Sequence, residues 1–458
     1  MAKRWWILGA VACGTFMATL DSSIVNIALP TLTKELASDL SQVKWVVILY
    51  LLTITCLLLP FGRLSDQLGR KRVFQSGYLV FTFGSILCSF APTLSLLVSA
   101  RVIQAIGASM LMANGPAIIT AAFPGDGRGG ALGTLSMVVS AGLISGPSLG
   151  GLLISAFGWR SIFLLNIPIG IIGVFLVQHF LEKDVEPEGR IPFDWMGAIL
   201  QSVILISMIV IFDPPTLSLG AASYHLSRFF LGCIVAGMVS IFIAVESQAV
   251  APLFDLSLMR IRTFWTSNLA ALLTFVAFSA VTVLMPFFLE EVMHLQTHAT
   301  GALMTAVPLT ILIVAPISGR LSDKLGGRGL SVAGSLVGAL ALFGMAGGFG
   351  AGITETMSTH AVIIALASIG LAIGLFQSPN NNAIMGAVPI NKIGVASAFL
   401  ATIRNLGLVI GTGLATGIFT WRMDITHGDF VHSLHFTHLM AAGVAGLATI
   451  ASFGKKEA

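Results

Sequence analysis

The nine residues Gly62–Arg70 read GRLSDQLGR, and a close copy, GRLSDKLGGR, stands at Gly319–Arg328. The copies begin 257 positions apart, and each lies between two long apolar stretches. A second correspondence runs without gaps at an offset of 265 positions and pairs Pro124/Pro389, Gly129/Gly394, Ala131/Ala396, Gly142/Gly407 and Gly146/Gly411. Internal repeats of this kind predict two homologous halves, with a binding site between them.

The composition indicates a protein whose main solvent is lipid. Of 458 residues, 56% are hydrophobic and 10% are charged, and the mean hydropathy is +0.94, whereas a soluble domain carries about 25% charged residues. Apolar runs of about twenty residues, long enough to cross a bilayer, recur from end to end. We expect an all-α membrane protein with no room for a soluble domain, and the small net charge of +4 gives no reason to expect nucleic acid as a partner.

Length and flanking breakers predict about fourteen transmembrane helices. If the N-terminus is cytoplasmic, seventeen Lys and Arg residues lie at the inner ends of the helices and five at the outer ends. This asymmetry obeys the positive-inside rule and predicts cytoplasmic termini and a bacterial-type inner membrane. The predicted spans are 5–29, 43–62, 73–91, 93–122, 130–156, 160–181, 194–213, 227–246, 263–289, 299–318, 330–350, 359–388, 394–420 and 436–453.

The repeat divides the chain into three parts. Residues 1–182 and 263–458 form two predicted six-helix bundles, and residues 183–262 form an inserted helix pair with its linkers, because the spans at 194–213 and 227–246 have no counterpart in the repeat.

Four motifs make the chain resemble the fourteen-span drug:proton antiporters of the major facilitator superfamily. They are LDSSIVNIALP at Leu20–Pro30, the Gly62–Arg72 loop, RVIQAIG at Arg101–Gly107, and GLISGPSLGG at Gly142–Gly151. The resemblance implies a major facilitator fold, alternating access, a small amphipathic substrate, membrane lipids as surroundings and a monomer. It also implies a proton gradient as the energy source, with no cofactor, no metal and no enzymatic activity.

The repeated loop has a predicted gating role. Its glycines permit a sharp turn, and its acid and basic residues are placed to form a charge lock between helix ends. The basic residues alone would also serve as topological anchors, and that alternative stays open. The gating residues are Gly62, Asp66, Gly69, Arg70, Arg72, Gly319, Asp323 and Arg328.

The Gly142–Gly151 motif combines small residues at four-residue spacing with a proline inside a helix. Small residues let helices approach closely, and proline bends a span. By resemblance this pattern marks exporters, and we expect a functional bend, with helix packing as the alternative. The residues concerned are Gly142, Gly146, Pro147, Gly150 and Gly151.

Asp21 and Arg101 are ionisable residues within spans, which by default indicates function. Asp21 lies nine residues from Pro30 and Arg101 eight residues from Thr93, so both lie about 12–13 Å from the outer ends of their helices. Desolvation favours a protonated carboxyl and a nearby Arg favours the charged form, so a movement that separates them couples proton binding to conformation. We predict Asp21 as the proton carrier and Arg101 as its modulator; a static ion pair is the alternative.

Further polar side chains within spans are candidates for the substrate cavity. Arg404 is the third deeply placed charge, and one Asp against two Arg suits neutral, zwitterionic or anionic substrates at least as well as dications. Interhelical hydrogen bonding is the competing role for the amides. The predicted cavity residues are Asn26, Gln104, Asn114, Gln377, Asn381 and Arg404.

The sequence thus predicts a proton-coupled exporter of small amphipathic compounds, of the multidrug type. An exporter or flippase of an endogenous lipid or metabolite, anionic ones included, is the first alternative, and a non-transporting membrane receptor is the second. No Gly-x-x-x-x-Gly-Lys-Ser/Thr loop is present, which excludes nucleotide-driven transport by this chain alone.

Overall fold

The computed structural model describes residues 2–123, 127–182, 194–212, 228–248, 256–349, 352–354, 357–389 and 393–454, all of whose regular structure is helical. The first eight helices are α1 (Ala2–Glu35), α2 (Leu40–Val43), α3 (Trp45–Leu68), α4 (Arg70–Phe90), α5 (Leu94–Ala122), α6 (Gly127–Phe157), α7 (Ser161–Leu164) and α8 (Asn166–Phe180). Two helices follow in the middle of the chain: α9 (Trp195–Phe212) and α10 (Arg228–Gln248). The last seven are α11 (Arg262–Phe287), α12 (Thr297–Met304), α13 (Ala306–Leu325), α14 (Gly327–Met345), α15 (Thr359–Gly386), α16 (Ile393–Ile425) and α17 (Phe430–Phe453).

Eleven helical stretches in the described part of the chain are long and apolar enough to cross a membrane. Three shorter apolar helical stretches accompany them, at Ala141–Phe157, Trp195–Ser207 and Gly237–Gln248. The prediction of an all-α membrane protein is confirmed, and the count of fourteen spans stays a prediction.

The turn in each copy of the repeated motif is made by one glycine. Gly69 separates α3 from α4 with φ of 90°, and Gly326 separates α13 from α14 with φ of 83°. Such positive φ values are open to glycine at no steric cost. The prediction that Gly62 and Gly319 also shape this turn is wrong, because both lie inside helices. Gly319 instead permits close packing on α15, since a Cβ there would lie 2.7 Å from Ser378 Oγ.

The helices pack in two groups that follow the repeat. In the first half α4 packs on α5, α3 on α5, and α1 on α6 and α8; in the second α14 packs on α15, α13 on α15, and α11 on α16 and α17. The halves meet where α6 contacts α12, where α3 contacts α16 and where α1 contacts α11. Helices α9 and α10 pack on each other, and α9 touches both halves through α3 and α16.

The glycines paired at an offset of 265 positions lie at close contacts between equivalent helices. A Cβ on Gly146 of α6 would lie 1.6 Å from Ser23 Oγ of α1, and a Cβ on Gly411 of α16 would lie 1.9 Å from Ser279 Oγ of α11. Gly142 and Gly407 make similarly close contacts with the same partner helices. The pairs α1/α6 and α11/α16 therefore occupy equivalent places in the two halves.

Gly146→Ala is expected to lower the free energy of unfolding by about 1–3 kcal/mol, the usual cost of overpacking. Ser23 Oγ can rotate away, but the new Cβ would also lie 2.8 Å from Ser23 Cβ and 3.0 Å from the backbone nitrogen of Ile24. Gly9→Ala in α1 is the control, because a Cβ there meets nothing within 4 Å. Thermal unfolding in detergent should show a lower melting temperature for Gly146→Ala only; equal melting temperatures would show that the α1/α6 contact tolerates a methyl group.

Candidate functional site

Asp21 of α1 and Arg101 of α5 form an ion pair in the interior of the first half. The Arg101 Nη1 atom contacts Asp21 Oδ2, and the side chains are 1% and 0% exposed. The predicted similarity of depth therefore corresponds to direct contact. Lipid does not reach either charge, as expected for ionisable groups within spans.

Two amide side chains donate to the Asp21 carboxylate beside its ion pair, and Ser85 accepts from one of them. Gln104 Nε2 donates to Asp21 Oδ1 at 2.9 Å and to Ser85 Oγ at 2.8 Å, while Gln104 Oε1 accepts from Arg101 Nη1 at 2.7 Å. Asn166 Nδ2 of α8 donates to Asp21 Oδ1 at 2.9 Å. Asp21, Ser85, Arg101, Gln104 and Asn166 form a buried network that we name the Asp21 cluster, and it joins α1, α4, α5 and α8.

Aromatic rings enclose the Arg101 guanidinium. Its Cζ lies 3.7 Å from the centroid of the Tyr50 ring and 5.7 Å from that of the Phe163 ring. Arg101 Nε donates a long hydrogen bond of 3.4 Å to the Val46 carbonyl. Cation–π contacts of this kind gain strength when they are desolvated, so the guanidinium has partners besides the carboxylate.

A cavity of about 220 Å³ lies between the two halves. Its lining comes from α1, α3, α5 and α6 on one side and from α11, α12, α13, α15 and α16 on the other. Most of the lining is aliphatic or aromatic, with Phe275 and Phe278 contributed by α11. Mostly apolar sites with a few placed polar groups are typical of small-molecule binding.

The Asp21 cluster and the cavity share one stretch of α1. Asp21 faces α5 and α8, whereas Ser22, Ser23 and Asn26 line the cavity. Successive helix residues point about 100° apart, so a single turn of α1 presents the carboxylate to the cluster and hydroxyls to the cavity. On this turn, Gly146 of α6 packs against Ser23.

Three of the six predicted cavity residues line the cavity, namely Asn26, Gln377 and Arg404. The prediction is wrong for Gln104, which is fully buried in the Asp21 cluster. It is also wrong for Asn114, whose Nδ2 donates to the Met110 carbonyl of its own helix at 2.7 Å. Asn381 is absent from the cavity lining as well. Gln104 and Asn114 point to other faces of α5, whereas Asn381 lies one helical turn of α15 beyond the lining residue Gln377.

The sequence reasoning missed Asn166, Tyr50 and Ser85. Asn166 had a usable signal, because a buried amide within an apolar span needs a partner. Tyr50 and Ser85 carried none, since either residue is tolerated at many places in a span. On the cavity wall the reasoning missed Asn405, which follows Arg404 on α16.

The structure describes only part of the repeated loop. The side chains of Asp66 and Asp323 lie outside the described residues, so the charge lock stays a prediction. Arg72 is exposed, and the adjacent Lys71 Nζ donates to the Gln178 carbonyl near the end of α8 at 3.0 Å. Arg328 of the second copy lies 6.0 Å from the Phe453 ring.

The glycine–proline motif of α6 also contacts the other half. A Cβ on Gly301 of α12 would lie 2.2 Å from the Pro147 carbonyl oxygen, and a Cβ on Gly151 would lie 2.6 Å from the Thr297 carbonyl oxygen. Beside them, the hydroxyl oxygens of Ser148 and Thr305 are 2.5 Å apart. Helix α6 is continuous through Pro147, so these small residues have packing contacts on both sides, and the functional bend stays a prediction.

Comparison with known sequences identifies the family. The sequence model of the Major Facilitator Superfamily matches residues 11–412. The chain belongs to the Major Facilitator Superfamily. It is 38% identical over 424 residues to the riboflavin transporter RibZ of Clostridioides difficile, covering 92% of this chain and 89% of that protein.

Two further relatives carry multidrug names. The multidrug resistance protein Stp of Mycobacterium tuberculosis is 30% identical over 406 residues, covering 88% of this chain and 73% of Stp. The multidrug transporter protein MdtP of Bacillus subtilis is 28% identical over 415 residues, covering 90% of this chain and 74% of MdtP. The chain is therefore a multi-pass membrane transporter of this superfamily, and its place among the fourteen-span drug:proton antiporters stays a prediction.

Proposed function

We propose that this protein is a proton-coupled antiporter that exports small amphipathic molecules by alternating access. The observation that carries the proposal is the fully buried ion pair of Asp21 and Arg101, placed on the same turn of α1 as the cavity residues Ser22 and Ser23. A carboxylate in that position can exchange a proton while the substrate cavity changes shape.

The proposed coupling passes through α1. With the ion pair intact, the guanidinium favours the charged carboxylate; when helix movement separates α1 from α5, desolvation favours its protonated form. Protonation would in turn favour the conformation in which the pair is broken, because a ligand shifts the equilibrium toward the state it binds better. Rocking of the halves then links proton uptake on one side to substrate release on that side.

The names of similar transporters indicate which substrates to test first. The 38% identical transporter is named for riboflavin, a planar heteroaromatic molecule with a polar side chain, and two others are named for multidrug transport. An apolar cavity with aromatic rings from α11 suits planar ring systems. Riboflavin is therefore the first substrate to test, and export of an endogenous metabolite is the second form of the proposal.

Purified protein in liposomes is expected to move riboflavin against its gradient when a pH gradient is imposed, and to move protons in the opposite direction. The measurements are riboflavin fluorescence and a pH-sensitive dye trapped in the lumen. Collapse of the pH gradient with a protonophore is the control and should stop accumulation. Movement of riboflavin that is unaffected by the protonophore would contradict proton coupling, and no movement of riboflavin or of a panel of amphiphiles would contradict the proposed function.

A further inference from the structure

We infer that Arg404 makes the α16 wall of the cavity an anion-binding wall, so that the preferred ligand is a small ring-containing amphiphile with a carboxylate, sulfonate or phosphate group. The inference rests on the proposed function, since it specifies the substrate class of the same cavity. It concerns ligand charge and does not depend on the proton-coupling mechanism.

Arg404 lines the cavity without a partner among the residues that the structure describes. No hydrogen bond or ion pair joins it to another described side chain or carbonyl, and the cavity lining contains no Asp or Glu. An isolated cation in a low-dielectric site is costly. A ligand that brings a negative charge into the cavity offsets this cost.

Three other arginines have guanidinium groups that bond to partners within the protein. Arg101 has a carboxylate, an amide oxygen and an aromatic face. Arg160 donates to the Ala91 carbonyl and stacks on Trp159, and Arg422 shares a hydrogen bond with His432. Against these three, a guanidinium that faces the substrate cavity with its donors unused is a binding group, because its planar fork matches carboxylate, sulfonate or phosphate oxygens.

Two amides beside Arg404 and opposite it have unused hydrogen-bonding capacity. Among the residues that the structure describes, the buried donor Asn405 Nδ2 on α16 and the buried acceptor Asn26 Oδ1 on α1 have no hydrogen-bond partner, and both residues line the cavity. The α16 side therefore offers donors for the anionic group, and the α1 side offers an acceptor for a hydroxyl or N–H group. Buried polar atoms of this kind are expected to find partners when a ligand is bound.

The remaining lining fits the apolar part of such a ligand. Phe275 and Phe278 supply aromatic surface, and Met112 and Met304 supply adaptable contacts. Because the described part of the lining has a cation and no carboxylate, a dicationic ligand would be repelled at the wall that an anion would occupy.

The test compares two probes with the same ring system. 1-Anilinonaphthalene-8-sulfonate carries a sulfonate, and N-phenyl-1-naphthylamine is its uncharged counterpart. Affinities are derived from the ligand-dependent rise in melting temperature of the detergent-purified full chain. Both probes partition into micelles, but equally for every variant, so the ratio of the two affinities reports on the site.

Arg404→Gln is expected to lower the preference for the sulfonate over the uncharged probe by at least about tenfold, since charge-assisted hydrogen bonds are lost. Arg404→Lys is expected to retain part of the preference, because the charge remains and the fork is lost. Arg160→Gln, which removes an arginine outside the cavity, is the matched control and should leave the ratio unchanged. Melting temperatures without ligand verify that each variant is folded.

An unchanged ratio in Arg404→Gln would overturn the inference, as would equal weakening of both probes, which would make Arg404 a shape-determining residue only. Loss of the preference in Arg160→Gln would also overturn it, because bulk charge would then be the cause. If neither riboflavin nor the panel of amphiphiles moves in liposomes while the sulfonate preference depends on Arg404, the proposed function is rejected and the anion-binding wall stands. Proton-coupled export together with an unchanged affinity ratio in Arg404→Gln would support the proposed function and overturn the anion-binding wall.

Discussion

Asp21→Asn is expected to reduce pH-gradient-driven transport to the level of protein-free liposomes and to leave exchange of the substrate down its own gradient. Asparagine keeps the shape of the side chain and can still accept from Gln104 and Asn166, which now donate to Asp21 Oδ1. It cannot bind or release a proton in the physiological range. The substitution therefore removes the coupling ion while the cavity, lined by other residues of α1, remains.

Loss of transport through instability is the competing explanation for such a result. Removing one partner of a buried ion pair typically costs about 3–5 kcal/mol. Here the Arg101 guanidinium would retain Gln104 Oε1 and the Tyr50 ring, so we expect the cost to lie at or below the lower end of that range. The double variant Asp21→Asn/Arg101→Gln removes both charges and is expected to recover most of the lost stability.

The pair of variants separates the two explanations. If proton exchange at Asp21 drives transport, the double variant melts close to the wild type and remains inactive with a pH gradient. Recovery of gradient-driven accumulation in the double variant would show that Asp21 serves as a static partner of Arg101 and that another group carries the proton. Counterflow of preloaded riboflavin is the positive control for an intact cavity in both variants.

The equal depth of Asp21 and Arg101 was predictable from sequence, and it makes their contact possible if α1 and α5 are neighbours. Charges within apolar spans stand out, and counting 1.5 Å per residue from the nearest breaker gives their distance from the membrane surface. Two opposite charges at the same depth are expected to pair when no other Asp or Glu is predicted at that depth. The internal repeat was equally visible in the sequence, and its glycines at an offset of 265 positions make equivalent contacts in α6 and α16.

The direction in which a polar side chain faces could not be predicted. In a soluble helix the polar face marks water, but these helices carry apolar residues all round, facing lipid, neighbouring helices and the cavity alike. Gln104 and Asn114 on α5 were thus assigned to the cavity on polarity alone, although Gln104 faces the Asp21 cluster and Asn114 bonds its own helix. A rotation of about 100° per residue separates these outcomes, and nothing in the local sequence fixes it.

The partner helix of each glycine in these motifs could not be predicted from sequence either. A four-residue spacing of glycines predicts close helix contact, and Gly142, Gly146 and Gly150 all pack on α1. Gly151, the next residue, faces α12 of the other half. The sequence indicates that a close contact exists but does not name the partner, which depends on how the two halves are arranged.

A disulfide between Ser148→Cys and Thr305→Cys is expected to stop transport completely under oxidising conditions, both gradient-driven and by exchange. The hydroxyl oxygens of these residues are 2.5 Å apart across the α6/α12 contact between the halves, which brings the two β-carbons within reach of a disulfide. The neighbouring residues Pro147 and Met304 line the cavity, so the bond would fix the halves directly beside it. By the predicted topology the α6/α12 contact lies toward the outer side of the membrane. Alternating access requires the halves to separate there.

The reduced double-cysteine protein is expected to transport at the wild-type rate, and the oxidised protein should regain that rate when a reductant is added. Each single-cysteine variant is a control, and Ser155→Cys/Thr305→Cys is the matched pair, because Ser155 lies about 10 Å further along α6 than Ser148. The oxidised wild type controls for its native cysteines, of which Cys56 and Cys88 are buried. Undiminished exchange by a fully cross-linked protein would show that the α6/α12 contact persists through the cycle. The movement would then have to be sought at other contacts between the halves, such as those of α3 with α16 and α1 with α11.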